Sequence, residues 1–168
     1  MLLQTTFDSP LNTMTLLAND HALCGVWFVG QTYFGATFDL SAIPTGDNAV
    51  LRQTKNWLAA YFAGRNLPRP ALHFSGTPYR QAVQQAMCAI PLGQVVTYQQ
   101  LAMQLQTTLG HHTSARGIGG AVGHNPLSVI VPCHRVVGSA HQPTGYAGGL
   151  WRKQALLELE GASDQVKW

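Results

Sequence analysis

Pro132-Cys133-His134-Arg135 sets a thiol, an imidazole and a guanidinium on consecutive residues behind an apolar run, Ser128-Val129-Ile130-Val131. A thiol is a nucleophile as its thiolate, and neighbouring cations favour that form. His134 and Arg135 are such neighbours, so Cys133 is the candidate nucleophile, although an arbitrary cysteine is more often a small buried hydrophobe. Cys24, Cys88 and Cys133 are odd in number and lie far apart, which fits reduced thiols better than a disulfide framework or a zinc site. His21 and Cys24 form a single spaced pair, too little for a ligand set, and no metal is expected.

The elements that must position Cys133 follow from local pattern. Val129 to Val131 is β-branched and uninterrupted and reads as a short buried strand, ended by Pro132, which cannot donate to a ladder. Gly138 to Gly149, with four glycines and a proline, reads as a loop wrapping the pocket, with Tyr146 inside it. Leu150 to Gly161 reads as a last helix in which Leu156, Leu157 and Glu160 fall at i, i+1 and i+4. Glu160 then lies beside the apolar face, either half buried with a partner or fraying outward.

Upstream, Gly76-Thr77-Pro78 predicts a helix to about Ala89, with Thr77 as cap and Pro78 in the first position. Val95 to Thr97 reads as extended, Tyr98 to about Gln106 as a second helix, and Ser114 to Gly123 as a third after a turn at Gly110 to Thr113. The last two resemble a helix-turn-helix with Ser114 to Gly123 in the recognition position. Three interior glycines, Gly117, Gly119 and Gly120, each cost about 1 kcal/mol against alanine there. Such a helix needs a reason outside propensity, either tight packing within the domain or close approach of a ligand. With Ala115, Gly119 and Ala121 on its surface it is slim enough for a narrow groove, and Arg116 is its one long charged side chain.

The N-terminal part is simpler. Leu2 to Phe7, Met14 to Leu17 and Leu23 to Val29 read as strands of an antiparallel meander, and Asp47 to Ala63 as a helix with Asp47 as cap and Gly64 as stop. Asn66 to Pro70 reads as a linker. The expected fold is α/β of the α+β kind, with a supporting lobe at 1–70 and a mostly helical lobe at 71–168 that carries the chemistry.

From Asn48 to Leu157 there is no Asp or Glu, while Arg52, Lys55, Arg65, Arg69, Arg80, Arg116, Arg135, Arg152 and Lys153 all lie in that span. Unneutralised positive charge should attract a polyanion, in a salt-dependent way. A mean hydropathy of +0.02 and a hydrophobic fraction of 46% suggest neither disorder nor a membrane span. Met1 to Pro10 lacks the pattern of a signal peptide, so a cytoplasmic monomer is expected.

Pro132-Cys133-His134-Arg135-Val136, preceded by Gly119-Gly120-Ala121 and Asn125-Pro126 and followed by Gly145-Tyr146 and Leu156 to Gly161, resembles the O6-alkylguanine-DNA alkyltransferases. The ordered set spans Thr77 to Gly161. The resemblance implies double-stranded DNA as partner, bound through the minor groove, a flipped O6-alkylguanine with O4-methylthymine as a second substrate, and no cofactor. It implies Cys133 as alkyl acceptor and His134 as the base acting through a water and oriented by Glu160. Asn125 would be the hinge between recognition helix and active-site strand, and Arg116 the finger that fills the space of the extruded base. Tyr98 would protonate the guanine leaving group. The carbonyls of Cys133 and Val136 and the amide of Ala147 would meet guanine edges, with Tyr146 as a wall, while Ala115, Gly119, Gly120 and Arg135 complete the expected DNA-binding set. Tyr79 and Gln84 stand where the family commonly has Phe and Trp, and the Tyr98 to Arg116 connection is longer than usual.

The chemistry asks for these groups on its own terms. Transfer to sulfur gives a thioether, which offers water no carbonyl to attack, so the protein should act once. The target atom is inaccessible in a stacked duplex, hence the flipping. The rival readings are a non-catalytic lesion-binding protein of the same fold, whose members lack the cysteine, and a cysteine hydrolase, which would need a base in direct contact with sulfur.

Overall fold

The computed structural model describes residues 1–168. Its contacts divide the chain into two units, Met1–Phe74 with Pro126–Ile130, and Ser75–Asn125 with Val131–Trp168.

In the first unit, β1 (Leu3–Ser9), β2 (Asn12–Ala18) and β3 (Leu23–Phe28) form an antiparallel sheet in that order. β1 is nowhere fully buried, with half-buried and exposed residues alternating in its second half, whereas β2 is buried from Met14 on and β3 throughout. Trp27 folds its ring back over Gly25, where an added Cβ would stand 2.0 Å from the indole. A residue with a side chain there would expel the ring from its cluster with Leu17 and Cys24. Helix α1 (Ala49–Phe62) lies against this sheet. Its cap is Asn48, which accepts from the Leu51 amide at 2.8 Å, and not the expected Asp47, which instead pairs with Arg52 on the surface at 2.7 Å. The expected division after residue 70 does not match the contacts. Ala71 and His73 bond to Leu23, and Pro126 and Ser128 bond to Val26, so both flanking segments belong with the sheet.

The second unit packs α2 (Pro78–Cys88), α3 (Tyr98–Leu109) and α4 (Ala115–Gly123) together, with α5 (Leu150–Leu159) beside the turn at Cys133–Arg135. A two-residue parallel pairing joins β4 (Val96–Thr97) to β5 (Val136–Val137) and so fixes the start of α3 beside the chain leaving Arg135. Each helix start follows from its cap. Thr77 accepts from Arg80, Thr97 and Gln100 form a reciprocal capping box, and Ser114 accepts from Gly117. α3 runs past the expected end near Gln106 to Leu109 and stops at Gly110 in the left-handed conformation. Tyr79 and Gln84 both make polar contacts, although Gln84 Oε1 is buried with no partner within the protein. The Tyr79 hydroxyl meets that of Thr113 at 2.5 Å, and buried Gln84 donates to the Ser75 and Arg80 carbonyls.

The strand expected at Val129 to Val131 is absent. Val129 has φ of 71°, and the Ile130 amide bonds back to the Ser128 carbonyl at 2.8 Å, the closure of a γ-turn. A second closure of this kind, Cys133 amide to Val131 carbonyl at 2.8 Å, surrounds Pro132 with φ −82° and ψ 63°. The β-branched run is buried, as its composition requires, but folds as consecutive tight turns and not as a ladder.

Candidate functional site

Cys133, His134 and Arg135 form one turn of 3-10 helix, all buried, and not the end of a strand. In such a turn successive side chains splay around an axis instead of alternating across a plane. The three groups consequently meet three different surroundings.

His134 is fully buried and its Nε2 lies 2.7 Å from a Glu160 oxygen. Glu160 is held from its other side by Arg135, whose Nε and Nη2 donate to the two carboxylate oxygens at 2.8 and 3.1 Å. Arg135 Nη1 donates in turn to the Ile90 carbonyl at 2.7 Å. Burial would push the Glu160 carboxyl up, but His134 and Arg135 outweigh it and bring its pKa down to about 2. His134 is pushed down, first by burial, with Glu160 opposing, so its imidazole is neutral at pH 7 and Arg135 is the cation that keeps Glu160 ionised. An ionised carboxylate can only accept, so Nε2 carries the imidazole hydrogen. Nδ1 then has the free lone pair, and it is buried with no partner within the protein. His134 is thereby poised as a base at Nδ1. Arg135, expected among the DNA-binding residues, is buried with its guanidinium donating to Glu160 and to the Ile90 carbonyl.

Cys133 is buried, and burial pushes its thiol up, against the Asn125 side chain and the Lys153 charge, which favour the thiolate. The cation that serves the sulfur is therefore Lys153 of α5, not Arg135. Lys153 is 1% exposed, and its Nζ donates to the Val136 carbonyl at 2.6 Å and to Thr144 Oγ1 at 3.2 Å. Burial lowers its pKa to about 8. Sequence reasoning missed both Lys153 and Thr144. A signal for the lysine existed, since Lys153, Leu156, Leu157 and Glu160 fall at i, i+3, i+4 and i+7, one face of a helix. The Val136 carbonyl, expected at a guanine edge, has one of its two lone pairs taken by Lys153.

Asn125 follows the His124 cap of α4 and donates from Nδ2 to the Val131 carbonyl at 3.0 Å, two residues before the thiol. It thus joins the end of α4 to the Cys133 turn. The His134 and Tyr146 rings meet edge to face with centroids 6.4 Å apart, and Ala147 follows in the same loop. The Tyr98 hydroxyl lies 3.0 Å from Thr144 Oγ1.

An open cleft of about 700 Å³ is lined by Tyr98, Met103, Ser114, Ala115, Arg116 and Gly119 among others, and reaches Ser139 of the loop after β5. The cleft wall does not include Cys133, and Tyr98 belongs to both the cleft and the polar group around the thiol. The glycines of α4 separate into two kinds. A Cβ on Gly117 would come within 3.4 Å of the Tyr79 hydroxyl, whereas Gly119 and Gly120 have nothing within 4 Å. Tight internal packing accounts for the first and not for the other two, which face open space.

Two family models match the chain. The DNA binding domain of 6-O-methylguanine DNA methyltransferase matches residues 78–162, and the ribonuclease-like domain of the same family matches residues 2–69. The methylated-DNA–protein-cysteine methyltransferase of Mycobacterium tuberculosis is 38% identical over 161 residues, covering 95% of this chain and 93% of the relative. That of Salmonella typhimurium is 50% identical over 106 residues, 62% of this chain and 60% of the relative. Among solved structures, Mycobacterium tuberculosis OGT in complex with DNA superposes with a TM-score of 0.82 at 36% identity, covering 97% of this chain and 94% of that one.

Proposed function

Because this chain belongs to the 6-O-methylguanine DNA methyltransferase family, we propose that it repairs DNA by moving the alkyl group of O6-alkylguanine onto its own Cys133, irreversibly and once per molecule. The observation that carries the proposal is a buried thiol, Cys133, under the charge of a buried ammonium, Lys153, and next in the chain to a neutral imidazole oriented by an ionised carboxylate. His134 Nδ1 takes the thiol proton through a bridging water, and the imidazolium is stabilised by Glu160. The Lys153 ammonium supports the thiolate as it forms. Sulfur displaces the alkyl carbon from guanine O6, and Tyr98 protonates the departing base.

DNA lies in the cleft with α4 in the minor groove. Ala115, Gly119 and Gly120 allow the backbone close, and Arg116 fills the space of the extruded base. The acid-free span from Asn48 to Leu157 supplies attraction for the phosphates. Tyr146 and Ala147 bound the pocket that receives the flipped guanine, and O4-methylthymine is the second substrate. No helix is long and apolar enough to cross a membrane, and three free cysteines suit the cytoplasm.

The test is intact mass after incubation with excess duplex containing O6-methylguanine, followed by peptide mapping. One methyl per chain on Cys133, and none on Cys24 or Cys88, is expected. Loss of the lesion with unchanged protein mass would refute the acceptor role, and DNA binding with neither change would favour the non-catalytic binder.

A further inference from the structure

We propose that Tyr79 is a positioning residue for α4: its hydroxyl, bonded to Thr113 and lying over Gly117, holds the start of that helix so that Arg116 and the cleft face are in place before duplex DNA arrives. The proposal rests on the alkyl-transfer reading and adds to it a residue that is not among those lining the cleft.

The segment that leads into α4 has little to hold it. From Gly110 to Gly117 every residue except Thr113 is exposed. The interior glycines of α4 give no help from propensity, and the Ser114 cap satisfies the Gly117 amide at 3.0 Å. What fixes the exit of the turn must therefore come from another element, and that element is α2. Tyr79 Oη and Thr113 Oγ1 stand 2.5 Å apart across 34 residues of chain, and either hydroxyl can donate. The same phenol oxygen reaches the first turn of α4, where a Cβ on Gly117 would lie 3.4 Å from it and 3.2 Å from the Ser114 oxygen that caps the helix. A side chain at that position would press on the cap and on the phenol together. Gly117 is the space through which Tyr79 reaches the turn.

The anchor is firmer than what it anchors. Tyr79 is the second residue of α2, directly behind the Thr77 cap and Pro78, whose ring pre-sets the first helical position. Gln84 ties the same end down by donating to the Ser75 and Arg80 carbonyls. A hydrogen bond has direction, whereas an apolar contact has none, so the hydroxyl pair sets where Thr113 comes to rest. Ser114, Ala115 and Arg116 follow it along the cleft wall. A binding surface that is always in place keeps its full affinity, and one in place for part of the time loses affinity in that proportion.

Tyr79→Phe, Thr113→Val and the double variant would be compared with the wild type by fluorescence titration with O6-methylguanine duplex, by amide exchange of the free protein and by thermal unfolding. Each single variant should bind duplex about three- to tenfold more weakly, the scale of one hydrogen bond. The amides of Ile118 to Val122 should exchange faster by a similar factor. Tyr79→Phe should still take methyl from free O6-methylguanine base at the wild-type rate. The double variant should bind duplex no more weakly than the weaker single one, while its unfolding midpoint recovers toward the wild type, because two facing apolar groups leave no hydroxyl stranded. Duplex affinity that recovers together with stability in the double variant would reduce Tyr79 to a packing residue and overturn the proposal. Wild-type affinity in Tyr79→Phe, or losses that simply add in the double variant, would overturn it as well. A wild type that gains no methyl on Cys133 would instead remove the alkyl-transfer reading beneath it.

Discussion

Replacing Glu160 with Gln removes the one negative charge between two cationic or potentially cationic groups, with no change in shape. The carboxylate side chain is 1% exposed and accepts from His134 Nε2 at 2.7 Å and Arg135 Nε at 2.8 Å. Its pKa falls from 4.5 in the free group to about 2 in the fold, and at about 1.4 kcal/mol per unit that difference is about 3 kcal/mol of stability at pH 7. The sign is that of a depressed carboxyl. The contribution is complete above pH 4.5 and lost as pH falls toward 2, with about 2 kcal/mol gone by pH 3. Removing one partner of a buried pair costs about 3–5 kcal/mol by a separate route, since it strands the other charge. Urea unfolding of wild type and Glu160→Gln at pH 7 and pH 3 should show the variant weaker by about 3 kcal/mol at pH 7 and the gap narrowed to about 1 kcal/mol at pH 3. A gap below about 0.5 kcal/mol at pH 7, or one that does not change with pH, would refute the view that Arg135 serves Glu160. The variant should also transfer methyl far more slowly, because Gln can hold His134 in the wrong tautomer.

Lys153→Met keeps the bulk of the side chain and removes the cation beside sulfur. Alkylation of Cys133 by iodoacetamide should slow at least tenfold at pH 7, with the rate-against-pH curve moved to higher pH, and an unmoved curve would dismiss the lysine as thiolate support. Arg116→Ala should slow transfer from duplex DNA while leaving transfer from free O6-methylguanine base unchanged, measured by single-turnover mass spectrometry. Gly120→Ala should raise stability by about 0.5–1 kcal/mol, since nothing lies within 4 Å of the new Cβ, and weaken duplex binding in a fluorescence titration. Unchanged affinity would mean that α4 does not lie against DNA at that face.

Much of this was readable where local chemistry decides the outcome. Thr77-Pro78 and Ser114 define helix starts through caps that need only a few residues of sequence, whereas the Thr97–Gln100 capping box went unread although its signal was just as local. Glu160 was placed by helical spacing beside the apolar face, either half buried with a partner or fraying outward, and it is buried against His134 and Arg135. What failed depends on contacts distant in sequence. Val129 to Val131 has the composition of a strand, yet no neighbouring ladder reaches it, and burial is met through γ-turns. Arg135 looked like a cation for sulfur because it is close in the chain, while in space it turns to a carboxylate 25 residues away. Lys153 entered the sequence reading only as one basic residue of the acid-free span, and the Val136 carbonyl and Thr144 hydroxyl that accept from it in its buried place lie 17 and 9 residues away.

The bare glycines of α4 also bear on motion. A nine-residue helix with three interior glycines has little intrinsic tendency to hold its form, and depends on the Ser114 cap and on Ile118, Ala121 and Val122 packed beneath it. Local opening therefore costs less there than in α1 or α2, and the amide hydrogens of Gly119 to Gly123 should exchange with solvent ahead of those in the other helices. A surface that is slim enough to sit in a groove is for the same reason soft before it gets there. Duplex binding should then register as slowed exchange along α4, with ordering of that helix as part of what recognition costs.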